Sequence, residues 1–195
     1  GAGVSVVYTT LDQSIAIRQG TPVPALDGRV KFENLDDWGV QGVLGLTYAF
    51  SDRLLLGIVY RSQMDTDLEG DVSFEGLRNP QLAAFLPNDV KISWTNPQWL
   101  EAGLRYTLSD NKTVLFFNLG WQEWSKFSEN VLSFRNDRVQ TLDRKWDDTW
   151  HAGVALVRVL SPRSAVSFGL AYESSPVKDK YRTLDFPVDE MWKLS

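Results

Sequence analysis

The sequence predicts an all-β fold, an antiparallel up-and-down barrel of the transmembrane kind, and three observations carry that reading. Apolar residues alternate with small or polar ones over long stretches, while no extended window keeps the 3.6-residue spacing of a helix. Short turns and long polar connections follow one another by turns along the chain, as in barrels with short turns at one rim and long loops at the other. Aromatic residues make up 12% of 195 residues, with eight tryptophans, and many stand at the ends of the apolar stretches, where interfacial girdles belong.

The elements follow in order. Ala2, Val4, Val6 and Tyr8 oppose Gly3, Ser5 and Val7, so the chain starts in a strand, and the polar run from Gln19 to Gly28 is its first long connection. Within Gly39 to Phe50, Val40, Gly42, Leu44, Leu46, Tyr48 and Phe50 form one face, and Gly39, Gln41, Val43, Gly45, Thr47 and Ala49 the other. Ser51-Asp52-Arg53 is a turn, after which Leu54, Leu56, Ile58 and Tyr60 oppose Gly57, Arg61 and Gln63, with Leu55 and Val59 as exceptions. A long connection spans Glu75 to Asn88. Leu100, Ala102, Leu104 and Tyr106 then oppose Trp99, Glu101, Gly103 and Arg105, and the turn at Ser109 to Lys112 leads to Leu115, Phe117, Leu119 and Trp121 opposing Phe116, Asn118, Gly120 and Gln122. Asn136 to Asp148 reads as a loop. Trp150, Ala152, Val154 and Leu156 form the next apolar face, a turn falls at Ser161 to Ser164, and Val166, Phe168, Leu170 and Tyr172 complete the next hairpin. After the long connection Ser174 to Asp189, Met191 to Ser195 starts another strand. The sum is about seven full strands and the start of an eighth. A barrel left open would expose unpaired edges to lipid, so the chain is expected to be a segment of a longer barrel, a single unit over residues 1–195.

Composition narrows the function. With 20 basic against 25 acidic residues and a net charge of -5, the chain lacks the basic surface a nucleic-acid partner requires. It has no cysteine, which removes thiolate metal sites and cysteine nucleophiles. No stretch approaches the ~18 apolar residues of a membrane helix. Alternation alone does not separate a lipid-facing wall from a soluble core, so a lipocalin-like carrier or β-sandwich stays open, as does a structural or adhesin barrel. The opposite face tips the balance. It is mostly Gly, Ala, Ser and Gln with isolated charges, which suits a lumen better than a solvated sheet surface.

Candidate ligand-binding residues come from that interior parity and from one loop. Arg61 and Arg105 can hold a carboxylate bidentately, or pair with Glu101 or Glu173 in an interior ladder. Phe116 shares the interior parity. Trp121 and Trp124 line a ligand path or serve as girdle residues. Leu77, Leu82, Ala83, Ala84, Phe85 and Leu86 form an apolar loop patch that either packs internally or captures something apolar. Catalysis finds no support: the lone histidine, His151, lies on a strand with no nucleophile elbow to serve. The acidic pairs Asp36-Asp37 and Asp147-Asp148 are expected just before strands, as solvated loop ends or bridges to a cation or lipopolysaccharide. No cofactor or metal is implied.

Five blocks, in order along nearly the whole chain, resemble the FadL-type outer-membrane transporters of long-chain fatty acids and other hydrophobic compounds. They are Gly45-Leu-Thr-Tyr-Ala-Phe-Ser-Asp-Arg53 with Leu56-Gly-Ile-Val-Tyr-Arg-Ser62, then Asn96-Pro-Gln-Trp-Leu-Glu-Ala-Gly103, Leu119-Gly-Trp-Gln-Glu-Trp-Ser-Lys-Phe127 and Gly169-Leu-Ala-Tyr-Glu-Ser-Ser-Pro-Val177, and the run from Asp185 to Ser195 with its proline and tryptophan. The resemblance implies a monomeric barrel of about fourteen strands in the Gram-negative outer membrane, plugged by an N-terminal hatch, of which this chain holds about half, without the hatch. It also implies ligand capture among the external loops, a second site in the lumen, and sideways release through the wall into a membrane of lipid and lipopolysaccharide. Fatty acids and aromatic hydrocarbons are both expected ligands. Basic residues hold the ligand carboxylate in such proteins, and the corresponding stretches here offer Arg18 and Arg144 or Lys145.

Overall fold

A computed structural model describes residues 1–19, 27–79, 86–127, 129–134, 139–183 and 186–195. It contains strands β1 (Ala2–Ile17), β2 (Gly28–Ser51), β3 (Leu54–Arg61), β4 (Met64–Glu75), β5 (Asp89–Asn96), β6 (Trp99–Thr107), β7 (Thr113–Gln122), β8 (Glu129–Phe134), β9 (Val139–Asp143), β10 (Thr149–Ser161), β11 (Ser164–Glu173) and β12 (Met191–Leu194). Among the described residues two short 3-10 helices, Trp124–Phe127 and Asp179–Tyr181, interrupt them. All pairings are antiparallel, and the strands described form one 12-stranded sheet. Among the described residues no helix is long and apolar enough to cross a membrane.

The sheet has two tiers. β1 runs along one edge of β2, from Gly28 to Leu44. The other edge is shared: β3 pairs with Val43 to Ser51, and β4 continues with Arg29 to Asp36. β3 and β4 are thus one line of chain, broken at Ser62-Gln63. There Ser62 accepts a bond from the Gly42 amide on its hydroxyl, donates its own amide to the Gly42 carbonyl, and receives Gln41 on its carbonyl. β5 and β6 repeat the pattern across Pro97-Gln98, where proline cannot donate to a ladder. β7 and β8 do so across the helix Trp124–Phe127, and β9 and β10 across 144–148. Four interruptions at one level make a waist. Below it lies the wall, β1-β2-β3-β6-β7-β10-β11-β12; above it β4, β5, β8 and β9 continue beside the first half of β2.

Register keeps every apolar face of the wall on one side. Tyr60, Leu100, Trp121 and Trp150 are successive neighbours across four strands, and so are Leu56, Leu104, Phe117, Val154 and Leu170 across five. Large side chains on this side stand bare, Phe168 at 66% and Leu194 at 86% exposure. In water such a surface costs on the order of 25 cal/mol per Å²; in lipid it costs nothing. β6, β7 and β11 have 9, 10 and 10 residues, the length of tilted strand that crosses a hydrocarbon core. Aromatic pairs mark both borders: Tyr8 with Trp38 at 4.8 Å and Tyr172 with Trp192 at 4.8 Å near the waist, and Tyr48 edge-on to Phe50 at 4.8 Å near the turns.

The upper tier inverts this arrangement and has the buried core. Phe32, Leu35, Leu68, Val72, Val90, Ile92 and Leu132 pack together, with Leu35 and Leu68 fully enclosed. A bulge aims Leu35 inward. Asn34 takes φ 56°, its amide held by Asp12, and the pairing of β2 with both β1 and β4 shifts there. Gly70 is the residue opposite, and a Cβ on it would stand 2.7 Å from the Asn34 carbonyl oxygen, so no larger residue fits without displacement.

Two sequence expectations need correction. Asp36 and Asp37 do not precede a strand; they lie inside β2, where Asp36 accepts the Tyr8 hydroxyl and Asp37 the Asp67 amide. Residues 139–143, read as loop, are β9. In β2 the bulge shifts the alternation, and in β9 the polar residues Gln140, Thr141 and Asp143 conceal it.

The fully buried Leu68 anchors the upper tier. Leu68→Ala is expected to cost about 2–5 kcal/mol, measured as a loss of urea resistance of the folded protein in detergent, with the wall's strand content retained.

Candidate functional site

The inner face of the wall carries small and polar residues in rows. One runs Val43, Arg61, Trp99, Gln122, Thr149; the next Gly45, Val59, Glu101, Gly120, His151, Glu173, Met191; the next Thr47, Gly57, Gly103, Asn118, Gly153, Ala171, Lys193. Gly120 is needed beside His151, whose ring occupies the space a Cβ would take. Glu101 lies 3.8 Å from His151 Nε2 and accepts a bond from Asn118, and Lys193 lies 3.3 Å from Glu173. A hollow of about 520 Å³ follows this face, reached by Leu55, Arg105, Phe116, Asn118 and Lys193.

At the waist, above these rows, sits an aromatic cavity of about 500 Å³. Trp94 comes from β5, Trp124 and Phe127 from the 3-10 helix, Trp146 from the β9–β10 connection and Phe186 from the β11–β12 connection. Their rings interlock: Phe127 lies 4.7 Å from Trp146, 5.6 Å from Trp94 and 5.7 Å from Phe186, and Trp124 lies 5.2 Å from Trp146. Phe127 and Trp146 are largely buried, with Val177 packed behind them. Trp94 also packs on the upper core, tying the cavity to the rigid tier, and its indole Nε1 is buried without a hydrogen-bond partner. Glu173 from the inner face closes the floor. The volume falls within the usual range for small-molecule sites, about 300–1,000 Å³, and the mostly apolar lining with few polar groups is of the same kind.

Residues 2–193 match the family described as Outer membrane protein transport protein (OMPP1/FadL/TodX). The chain belongs to this family. It is 24% identical over 199 residues to the long-chain fatty acid transport protein of Escherichia coli O6:H1, covering 90% of this chain and 43% of that one. The fold is shared with a FadL homologue of Pseudomonas aeruginosa, at a TM-score of 0.80 and 17% identity over 98% of this chain and 49% of that one. The toluene transporter TbuX of Ralstonia pickettii superposes at a TM-score of 0.70 with 20% identity, over 89% and 50% of the two chains. The chain therefore spans about half the length of the relatives it matches. Family membership places the bare apolar face in the outer membrane and makes the inner face the lumen of a FadL-type wall.

The sequence-derived candidates scatter over this FadL-type framework. Arg61 and Arg105 do face the lumen, yet neither pairs with Glu101 or Glu173: among the described residues no carboxylate lies within salt-bridge distance of either. Arg61 lies on the Trp99 ring, 5.1 Å from its centroid, with Nε buried and unbonded. Glu101 instead has His151 beside it, and Glu173 is paired with Lys193. Trp121 is a girdle residue on the lipid face, donating to Asp148, whereas Trp124 lines the cavity. Phe116 lies in the lower hollow. Arg144 is buried behind the cavity, bonded to Asn130 and Thr183 with its guanidinium 4.9 Å from the Phe186 ring, and acts as a brace. Lys145 points away, paired with Asp143 and lying over Tyr181. Arg18 stands at the end of β1, away from the cavity lining. Leu82 and Phe85 lie outside the described residues; Leu86 is half-buried next to them. Trp94, Phe127, Trp146 and Phe186 were not singled out in the sequence, although the tryptophans off the strand-end positions were the available signal.

Asp148 latches the cavity wall. It accepts the Ser125 amide at 3.1 Å and the Trp121 indole at 3.0 Å, fastening the helix of Trp124 and Phe127 to the start of β10. Burial pushes its carboxyl up, but those bonds outweigh burial and hold it below its ordinary value of 3.8. Its contribution is complete above that value and is lost as pH falls through the lowered one. The near-UV circular dichroism of the tryptophan cluster should stay constant above pH 4 and weaken on further acidification, and Asp148→Asn should reduce that acid step.

Proposed function

We propose that the protein carries hydrophobic small molecules across the outer membrane by binding and diffusion, with no chemical step. The aromatic cavity at the outer end of a lumen lined by small residues supports this reading above all. A ligand enters from the external side, exchanges water for the rings of Trp94, Trp124, Trp146 and Phe186, descends past Phe116 and Arg105, and leaves sideways into the membrane. The hydrophobic effect drives the first step, and the Gly57, Gly103 and Gly153 row keeps the lumen open for the second. The fatty-acid and toluene transporters to which the chain is similar frame the ligand class. The wall's edges, β1 and β12, are unpaired with each other, which lipid does not tolerate; further strands of the same monomer close the barrel, with membrane lipid and lipopolysaccharide around it.

Full-length protein in proteoliposomes should take up labelled fatty acid or monoaromatic hydrocarbon above empty vesicles. Trp146→Ala should reduce ligand binding by roughly tenfold, the loss expected of an aromatic anchor. Uptake equal to empty vesicles would overturn the reading in favour of a structural or adhesive barrel.

A further inference from the structure

We infer that the aromatic cavity selects uncharged ligands and rejects the carboxylates of the same skeleton. The inference rests on the uptake reading above and specifies its substrate class. Among the described residues that line the cavity, three are acidic, Glu173, Asp189 and Glu190, and none is a lysine or arginine. Three cations near the lining are already engaged. Arg144 is 5% exposed and bonded to Asn130 and Thr183; Arg182 lies 2.7 Å from Asp189 and 3.0 Å from Asp179; Lys193 lies 3.3 Å from Glu173. The two lumen arginines stand off. Arg61 is three strand spacings round the wall from Thr149, about 14 Å, and Arg105 is six residues down β6 from the waist, about 20 Å.

An anion placed among the rings would lose its hydration without gaining a cationic partner, and Glu190, which accepts the Tyr172 hydroxyl at 3.4 Å, offers it none. A cation gains little. Glu173 and Asp189 are already paired, and Glu190 is exposed, so solvent screens its charge. A neutral ring or alkyl chain meets none of these costs, and the apolar lining is left to decide affinity. The unbonded Trp94 indole adds a donor, which a neutral oxygen can use without the cost of burying a charge.

Toluene, benzoate and benzylammonium share one ring and one substituent carbon and differ in charge. Their affinities for full-length protein in detergent micelles, read from tryptophan fluorescence, test the inference. Toluene should bind at least tenfold more tightly than either ion. Glu190→Lys should narrow the gap between toluene and benzoate by placing a cation in the lining. Benzoate binding as tightly as toluene to the unsubstituted protein, or benzylammonium binding best, would overturn the inference and leave hydrophobic uptake standing. Failure of all three to bind would overturn the cavity's role in uptake itself, and this inference with it.

Discussion

Lipid offers no hydrogen bond to a bare backbone amide or carbonyl, and the rest of this structure depends on that constraint. From β1 to β12 the wall is therefore an uninterrupted antiparallel ladder, and an uninterrupted ladder has one register. One register fixes two faces. Once Tyr60, Leu100, Trp121 and Trp150 point to lipid, Arg61, Trp99, Gln122 and Thr149 have no other side to face. The lumen's composition is thus a consequence of the lipid face rather than a separate design. The ladder breaks only where lipid ends. Ser62-Gln63, Pro97-Gln98, Trp124–Phe127 and 144–148 depart from strand geometry at the same height, and that is where the chain is free to gather side chains from several connections. The cavity sits at the waist for this reason.

Tryptophan divides along the same boundary. Trp38, Trp121, Trp150 and Trp192 face outward near the membrane border, where an apolar ring with one polar edge is best placed. Trp94, Trp124 and Trp146 turn inward and build the cavity, and Trp99 lies beneath Arg61 in the lumen. The same residue type serves as anchor and as binding surface. Its position relative to the waist separates the two roles.

This also explains how far the sequence could be read. Period-two alternation is strict where one face meets lipid, so the wall strands from Gly39 to Phe50 and from Leu100 to Tyr106 are evident without a structure. Above the waist both faces meet water or a small core, and the pattern is written in other residues. In β4, Met64, Thr66, Leu68 and Val72 are buried while Asp65, Asp67, Glu69 and Asp71 are outward. Its regularity is equal, but the four acids on its outer face hide it, and by sequence alone 64–74 fall in no assigned element. The bulge at Asn34 shifts the parity of β2 and conceals its first half. The cavity is less legible still, because its rings come from four separate connections and strands, and no spacing along the chain records that they meet. Arg144 illustrates the limit. A basic residue in a loop suggests a ligand partner, and only its bonds to Asn130 and Thr183 reveal a brace.

The acidic balance of the chain follows from the same partition. Between the two aromatic borders the lipid face carries no charged side chain, and Arg158 appears only at the turn end, beside Asp110. Charge is displaced to the turns, the lumen and the upper tier. On the outer face of that tier Lys91 lies 2.8 Å from Asp67 and 3.5 Å from Glu69, while Ser93 and Thr95 donate to Asp67 and Asp65. These contacts draw the Asp67 carboxyl below its ordinary value through the lysine first and the serine second. They neutralise a surface that would otherwise repel itself. Exposed pairs of this kind add little stability, so their effect is to keep the tier wet on its outer side. A wet outer face cannot sink into lipid, and so the acids that obscure β4 in the sequence also fix how deeply the wall sits in the membrane.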